Sequence, residues 1–211
     1  RVTTDLGFFY RTARERIISL VTARGVDTDR MVPATPLWSV KDVLAHVAGV
    51  ARDGVTGNLE GVTTDPWTAA QVERGRHLTV AQIVEQWQAD GPFLDHVFAD
   101  AIDGIPARGV IDVLTHEADL RNAIGLPFSI PADALAWAAG VMRRNFHDEV
   151  AAAGLPPVEV GATDAQWMRG RVGRLTVDEV RQLPWSSDPE PYLSTFFVFG
   201  HAAASLGEYI R

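Results

Sequence analysis

The chain has 211 residues, 46% of them hydrophobic and 22% charged, enough for one large domain, or a domain with a small appendage, around a substantial core. That composition excludes wholesale disorder, and the absence of cysteine excludes a disulfide framework, a thiolate metal site and a cysteine nucleophile, so any thiol chemistry must use a thiol from outside. A formal net charge of −8 gives no basic field for nucleic acid or anionic lipid, no stretch is long and apolar enough to span a membrane, and charges at Asp5, Arg11, Arg14, Glu15 and Arg16 stand where a signal peptide needs an apolar run; a cytosolic location is the expectation.

In chain order, Leu6, Phe9, Tyr10, Ala13, Ile17, Leu20 and Val21 recur at helical spacing and predict a helix over 4–24, stopped by Gly25. Residues 33–38 read as a loop. Ser39 with Asp42 has the form of a capping box and opens a second helix carrying Val43, Leu44, Val47 and Val50. The glycine-rich stretch 54–78 reads mostly as connection, with a short helix around 67–74. Thr79 with Gln82 opens a third helix, expected to bend at Gly91-Pro92. A fourth begins near Pro106 and stops at Gly125-Leu126-Pro127, and a fifth spans about 131–153. Beyond Leu155 the texture changes to Pro156-Pro157, an alternating Val158-Glu159-Val160 that suggests a strand, and a short helix over 176–183. The expected architecture is mainly α: a helical bundle over 1–154 with four principal helices and a fifth segment, then a small α+β region over 155–211.

On the fourth helix, at about 100° per residue, Asp112, His116 and Asp119 share one stripe. Glu117 and Arg121 mark the opposite wedge; with that wedge in water, the three face inward. An inward carboxylate–imidazole–carboxylate row is costly unless it is paired or holds a metal. His46 sits among Val43, Val47 and Val50 on the apolar face of the second helix, so it also points inward. Two imidazoles and a carboxylate suit a divalent metal and leave positions open for water or substrate, the arrangement of a catalytic site rather than a closed structural one. An inward histidine is also an ordinary core residue and an Asp-x-x-x-His pair an ordinary helix contact, and the residues by themselves leave both readings open. His116-Glu117 is not the start of a zincin motif, because position 120 is leucine, and there is no phosphate loop, dinucleotide loop or nucleophile elbow.

The run Trp38-Ser39-Val40-Lys41-Asp42-Val43-Leu44-Ala45-His46-Val47-Ala48-Gly49, followed by Val113-Leu114-Thr115-His116-Glu117-Ala118-Asp119-Leu120-Arg121-Asn122-Ala123-Ile124-Gly125, resembles the paired signature of the mycothiol-dependent maleylpyruvate isomerase family. That family belongs to the DinB/YfiT-like metal-binding four-helix bundles of actinobacteria. The likeness extends to Trp67-Thr68, Gln71-Val72, Arg169, Gly173-Arg174-Leu175-Thr176 and Trp185. It implies a metal, zinc before nickel or iron, held by His46, Asp112 and His116, with mycothiol as the external thiol activated at that metal. The characterised isomerase carries glutamate where this chain has Asp112, a shorter arm.

The resemblance also gives Arg169 and Arg174 a role, a guanidinium fork for a substrate carboxylate. Asp119 is expected to accept a hydrogen bond from a ligand imidazole and fix its tautomer. The leading expectation is a mycothiol-dependent isomerase or S-transferase acting on a small electrophile, as a monomer or homodimer with no nucleic-acid or membrane partner. Two readings stand beside it: a non-catalytic metal- or ligand-binding regulator, toward which Asp112 leans, and an Fe(II) enzyme with a two-histidine, one-carboxylate site.

Overall fold

The computed structural model describes residues 4–208. It is mainly helical and divides into two compact units between Leu126 and Pro127. Among the described residues, no helix is long and apolar enough to cross a membrane.

In the first unit, α1 (Leu6–Val21) starts where the Asp5 side chain accepts the Phe8 N–H at 2.9 Å. A two-stranded antiparallel hairpin follows, β1 (Met31–Val32) and β2 (Thr35–Ser39). The expected loop at 33–38 is therefore mostly strand, which ends where Ser39 becomes the cap of α2 (Val40–Thr56). Ser39 and Asp42 exchange the reciprocal hydrogen bonds of a capping box, and Gly57, at φ 71°, closes the helix in the left-handed region that favours glycine. α3 (Asp65–Arg76) extends the short helix expected around 67–74 at both ends, and α4 (Val80–Ala99), capped by Thr79 and Gln82, continues unbroken through Pro92 as one helix. Gly91 is required there by a close approach: a Cβ would stand 2.0 Å from Arg14 Nη1.

α5 (Gly104–Ala123) packs on α1 and on α2, while α4 packs on α1 and α2, and α3 covers α2. The four long helices form the bundle. Because α1 as well as α2 packs on α5, its wedge at Glu117 does not face water as the helical wheel predicts. Glu117 is fully buried, and its carboxylate accepts Arg16 Nε at 2.8 Å and Arg16 Nη2 at 2.7 Å, with Arg121 Nε 3.5 Å away. The physical reason is that α1 lies over this wedge and brings the countercharge with it.

The second unit contains α6 (Ala132–Ala152), α7 (Asp164–Arg171), α8 (Val177–Arg181) and the short α9 (Leu193–Phe196). Ala139, Phe146 and Val150, a stripe along α6, join Trp167, Val180 and Phe196 in one core. The sequence-based break at 154/155 therefore falls inside this unit, since α6 buries its stripe against α7 and α9. Val158 and Val160 both enter this core, but the β contribution among the described residues here is the single bridge between Val160 and Trp185; the two-stranded sheet belongs to the first unit.

Replacing Arg16 with methionine leaves Glu117 buried beside Arg121 alone, and the expected loss in urea unfolding is about 3 kcal/mol, as for a buried ion pair stripped of one partner. In Arg16→Met/Glu117→Leu the loss should be smaller than the sum of the single losses. Additive losses would show that the two side chains do not act as a pair.

Candidate metal centre

α2 and α5 bring three side chains to one point. His46 Nε2 lies 3.2 Å from Asp112 Oδ2 and 3.4 Å from Oδ1, and His116 Nε2 lies 3.5 Å from Asp112 Oδ1. One ligand atom from each residue lies within 4.8 Å of the others. The imidazole centroids are 5.0 Å apart, and the rings are nearly perpendicular at 81°. Four ligands at about 2.0–2.1 Å in a tetrahedron stand roughly 3.3–3.4 Å from one another, and the Asp112–histidine separations of 3.2–3.5 Å match that edge. Both histidines are buried, while the Asp112 side chain keeps 37% of its exposure, so the carboxylate stands at the mouth and the rings behind it.

The far nitrogen of each ring is occupied from behind. His46 Nδ1 meets Gln71 Oε1 of α3 at 2.8 Å. His116 Nδ1 lies 3.1 Å from Asp119 Oδ2, one turn further along α5; the pair is a close charged contact rather than a well-aligned hydrogen bond. With Nδ1 engaged, each ring turns Nε2 toward Asp112, as metal-ligating histidines do.

Burial by itself would raise the Asp112 carboxyl, but His46 and then His116 outweigh it and hold it well below the usual carboxylate range. Burial would likewise depress His116; Asp112, followed by Asp119, overcomes this and lifts it to about 9. In the metal-free chain a proton on His116 thus supplies the positive charge that the two carboxylates call for. The donor set, its spacing and its demand for a cation all fit a divalent metal.

Of the residues singled out in the sequence, His46, Asp112, His116 and Asp119 meet here. Arg169 and Arg174 belong to the second unit. Arg169 is fully buried and its guanidinium is clasped by Glu208, with Nε 2.7 Å from Oε2, and Arg174 donates to the Val172 carbonyl at 2.6 Å.

Three features of the site were not assigned to it by sequence reasoning. Trp38, at the end of β2, lies against both rings, with centroids 5.4 Å from His46 and 6.2 Å from His116. Gln71 comes from α3, the short helix expected around 67–74, to which no site role is given in the sequence. Asp53 is almost fully buried and accepts Gln71 Nε2 at 2.8 Å, Arg74 Nη2 at 2.7 Å and Asn58 Nδ2 at 3.0 Å. A signal for Asp53 exists: it stands seven residues after His46, the same spacing that links Asp112 to Asp119.

Residues 10–124 match the family model described as Mycothiol maleylpyruvate isomerase N-terminal domain. No curated protein and no solved structure matches the chain.

Gly49 holds α3 close enough for Gln71 to reach His46, since a Cβ at position 49 would stand 2.6 Å from Gln71 Cβ. Gly49→Ala is expected to cost about 1–3 kcal/mol through overpacking. Gly140→Ala, whose Cβ would meet Arg144 Nη1 at an ordinary 3.5 Å, is the control and should not destabilise. Thermal unfolding of the two variants side by side measures the difference, and equal midpoints would contradict the tight α2–α3 contact.

Proposed function

The chain belongs to the mycothiol maleylpyruvate isomerase N-terminal domain family, and from that membership we propose that it is a mycothiol-dependent metalloenzyme acting on a small electrophile, by isomerisation or thiol transfer. The observation that carries this reading is the cluster of His46, Asp112 and His116, each ring backed at Nδ1 and turned by Nε2 toward a half-exposed carboxylate. In it His46, Asp112 and His116 are the ligands of a divalent metal, zinc before nickel or iron. Bound there, the metal supplies Lewis acidity that favours the thiolate of an incoming thiol at neutral pH.

The chain's own residues do the rest. Asp112, at the mouth, sets where an incoming group meets the site. Asp119 orients His116, and Trp38 shields the two rings on one flank. No cysteine competes with the external thiol. Arg169 and Arg174, the guanidinium candidates for a carboxylate, lie in the second unit, where the Arg169 fork takes the carboxylate of Glu208.

The test is metal content by mass spectrometry on untagged protein, beside His46→Ala and His116→Ala variants verified as folded. The expected result is about one equivalent of divalent metal in the parent chain and its loss in both variants, as for a site of three protein ligands. Thiol-dependent turnover of electrophilic acids should then require both mycothiol and the metal. A chain that stays metal-free in excess zinc, nickel and iron would overturn the metalloenzyme reading. Metal binding without any mycothiol-dependent turnover would leave a metal-binding regulator.

A further inference from the structure

Two tautomers of His46 compete in this site. A proton on Nε2 would be welcomed by Asp112, only 3.2 Å away, and that hydrogen bond would close the position a cation needs. A proton on Nδ1 leaves the Nε2 lone pair open. The side chains behind the ring decide between them. Asp53, as a carboxylate, only accepts, and it is almost fully buried: its Oδ1 takes Arg74 and Asn58, and its Oδ2 takes Gln71 Nε2. The amide of Gln71 is therefore not free to turn over. Its NH2 group must face Asp53, which leaves Oε1, an acceptor, 2.8 Å from His46 Nδ1. An acceptor at that place needs the proton on Nδ1.

We propose that Asp53 is a positioning residue of the metal centre: acting through Gln71, it fixes His46 as the Nδ1–H tautomer and keeps Nε2 available as a ligand, a role that rests on the metal-site reading above. The relay needs three helical positions in register, His46 and Asp53 on α2 and Gln71 on α3, and Gly49 provides the close approach between those helices. Arg74, on α3 and partly exposed, anchors the far end and balances the Asp53 charge. His116 needs no such relay, because Asp119 faces its Nδ1 directly.

The experiment is a zinc titration against a chromophoric chelator for the parent chain, Asp53→Asn, Gln71→Met and the double variant, with the melting temperature of each recorded. Asparagine keeps the shape of Asp53 but can donate, so it frees the Gln71 amide to turn over. Each single variant should bind zinc about tenfold to a hundredfold more weakly, the range for loss of a group that orients a ligand. Because Asp53 acts only through Gln71, the double variant should bind no more weakly than Gln71→Met alone.

Nitrogen-15 NMR of the His46 ring is the second readout. The parent chain should hold the proton on Nδ1 and Asp53→Asn should not. Unchanged zinc affinity and an unchanged ring pattern in Asp53→Asn, with only a lower melting temperature, would make Asp53 a structural residue and overturn the proposal, as would additive losses in the double variant. If Asp53→Asn does not fold, the proposal rests on Gln71→Met: parent-like affinity and ring pattern would overturn it, and loss of both would support it. If the parent chain binds no zinc, nickel or iron, the metalloenzyme reading fails separately. The ring pattern of the metal-free chain at alkaline pH then still decides whether the relay sets the tautomer.

Discussion

The bridge from Asp112 to the two imidazoles depends on α5 being enclosed, with polar groups on opposite sides of one buried helix. Toward α2 it presents Asp112, His116 and Asp119; toward α1 it presents Glu117. Each buried polar group must find a partner or cost several kcal/mol, and this requirement fixes what the neighbouring helices carry. α1 must bring Arg16, and α2 must bring His46. The bundle and the site are thus one set of constraints: α5 could not rotate to improve one face without exposing the opposite one to an unmatched charge.

The two histidines are held by different means, and the difference keeps the charge of the site in balance. His116 is backed by a carboxylate and His46 by an amide whose charged anchor, Asp53, is neutralised by Arg74. With a dication in place, Asp112 and Asp119 cancel it and the Asp53–Arg74 pair cancels itself. A carboxylate at position 71 would leave a buried negative charge facing Asp53, the kind of arrangement that low dielectric penalises most. The neutral amide passes on orientation without adding charge.

The helical spacing of Asp112, His116 and Asp119, and the apolar neighbours of His46, made the site's main components legible in the sequence, and the capping boxes at Ser39 and Thr79 placed two helix starts. What was not legible has one physical cause in most cases. A helical wheel assigns a charged wedge to water because charge usually goes there, but Glu117 goes inward where Arg16 waits 101 positions away in sequence. Asp53 stands where α2 looked finished, among Arg52, Gly54 and Thr56, and only the approach of Gln71 and Arg74 from α3 makes its burial affordable. Composition suggests a boundary at 154/155, whereas the stripe of Ala139, Phe146 and Val150 joins a core formed with residues downstream of it. These three misses concern partners distant in sequence, which periodicity along a single helix does not report.

The aspartate at position 112, where the resemblance to the characterised isomerase implies glutamate, can be judged on the same geometry. A glutamate on this backbone would carry its carboxylate one carbon–carbon bond further, about 1.5 Å, whereas the existing carboxylate already stands 3.2 Å from His46 Nε2 and 3.5 Å from His116 Nε2. Those separations are the edge lengths a tetrahedral metal asks for, so the shorter arm leaves no gap to be bridged. The two separations have different sources: Asp112 and His116 stand one turn apart on α5, whereas His46 reaches Asp112 from α2. The length of the acidic side chain on α5 is thus matched to the α2–α5 spacing, and a glutamate at 112 would keep these distances only by folding back into another rotamer or by moving the two helices apart.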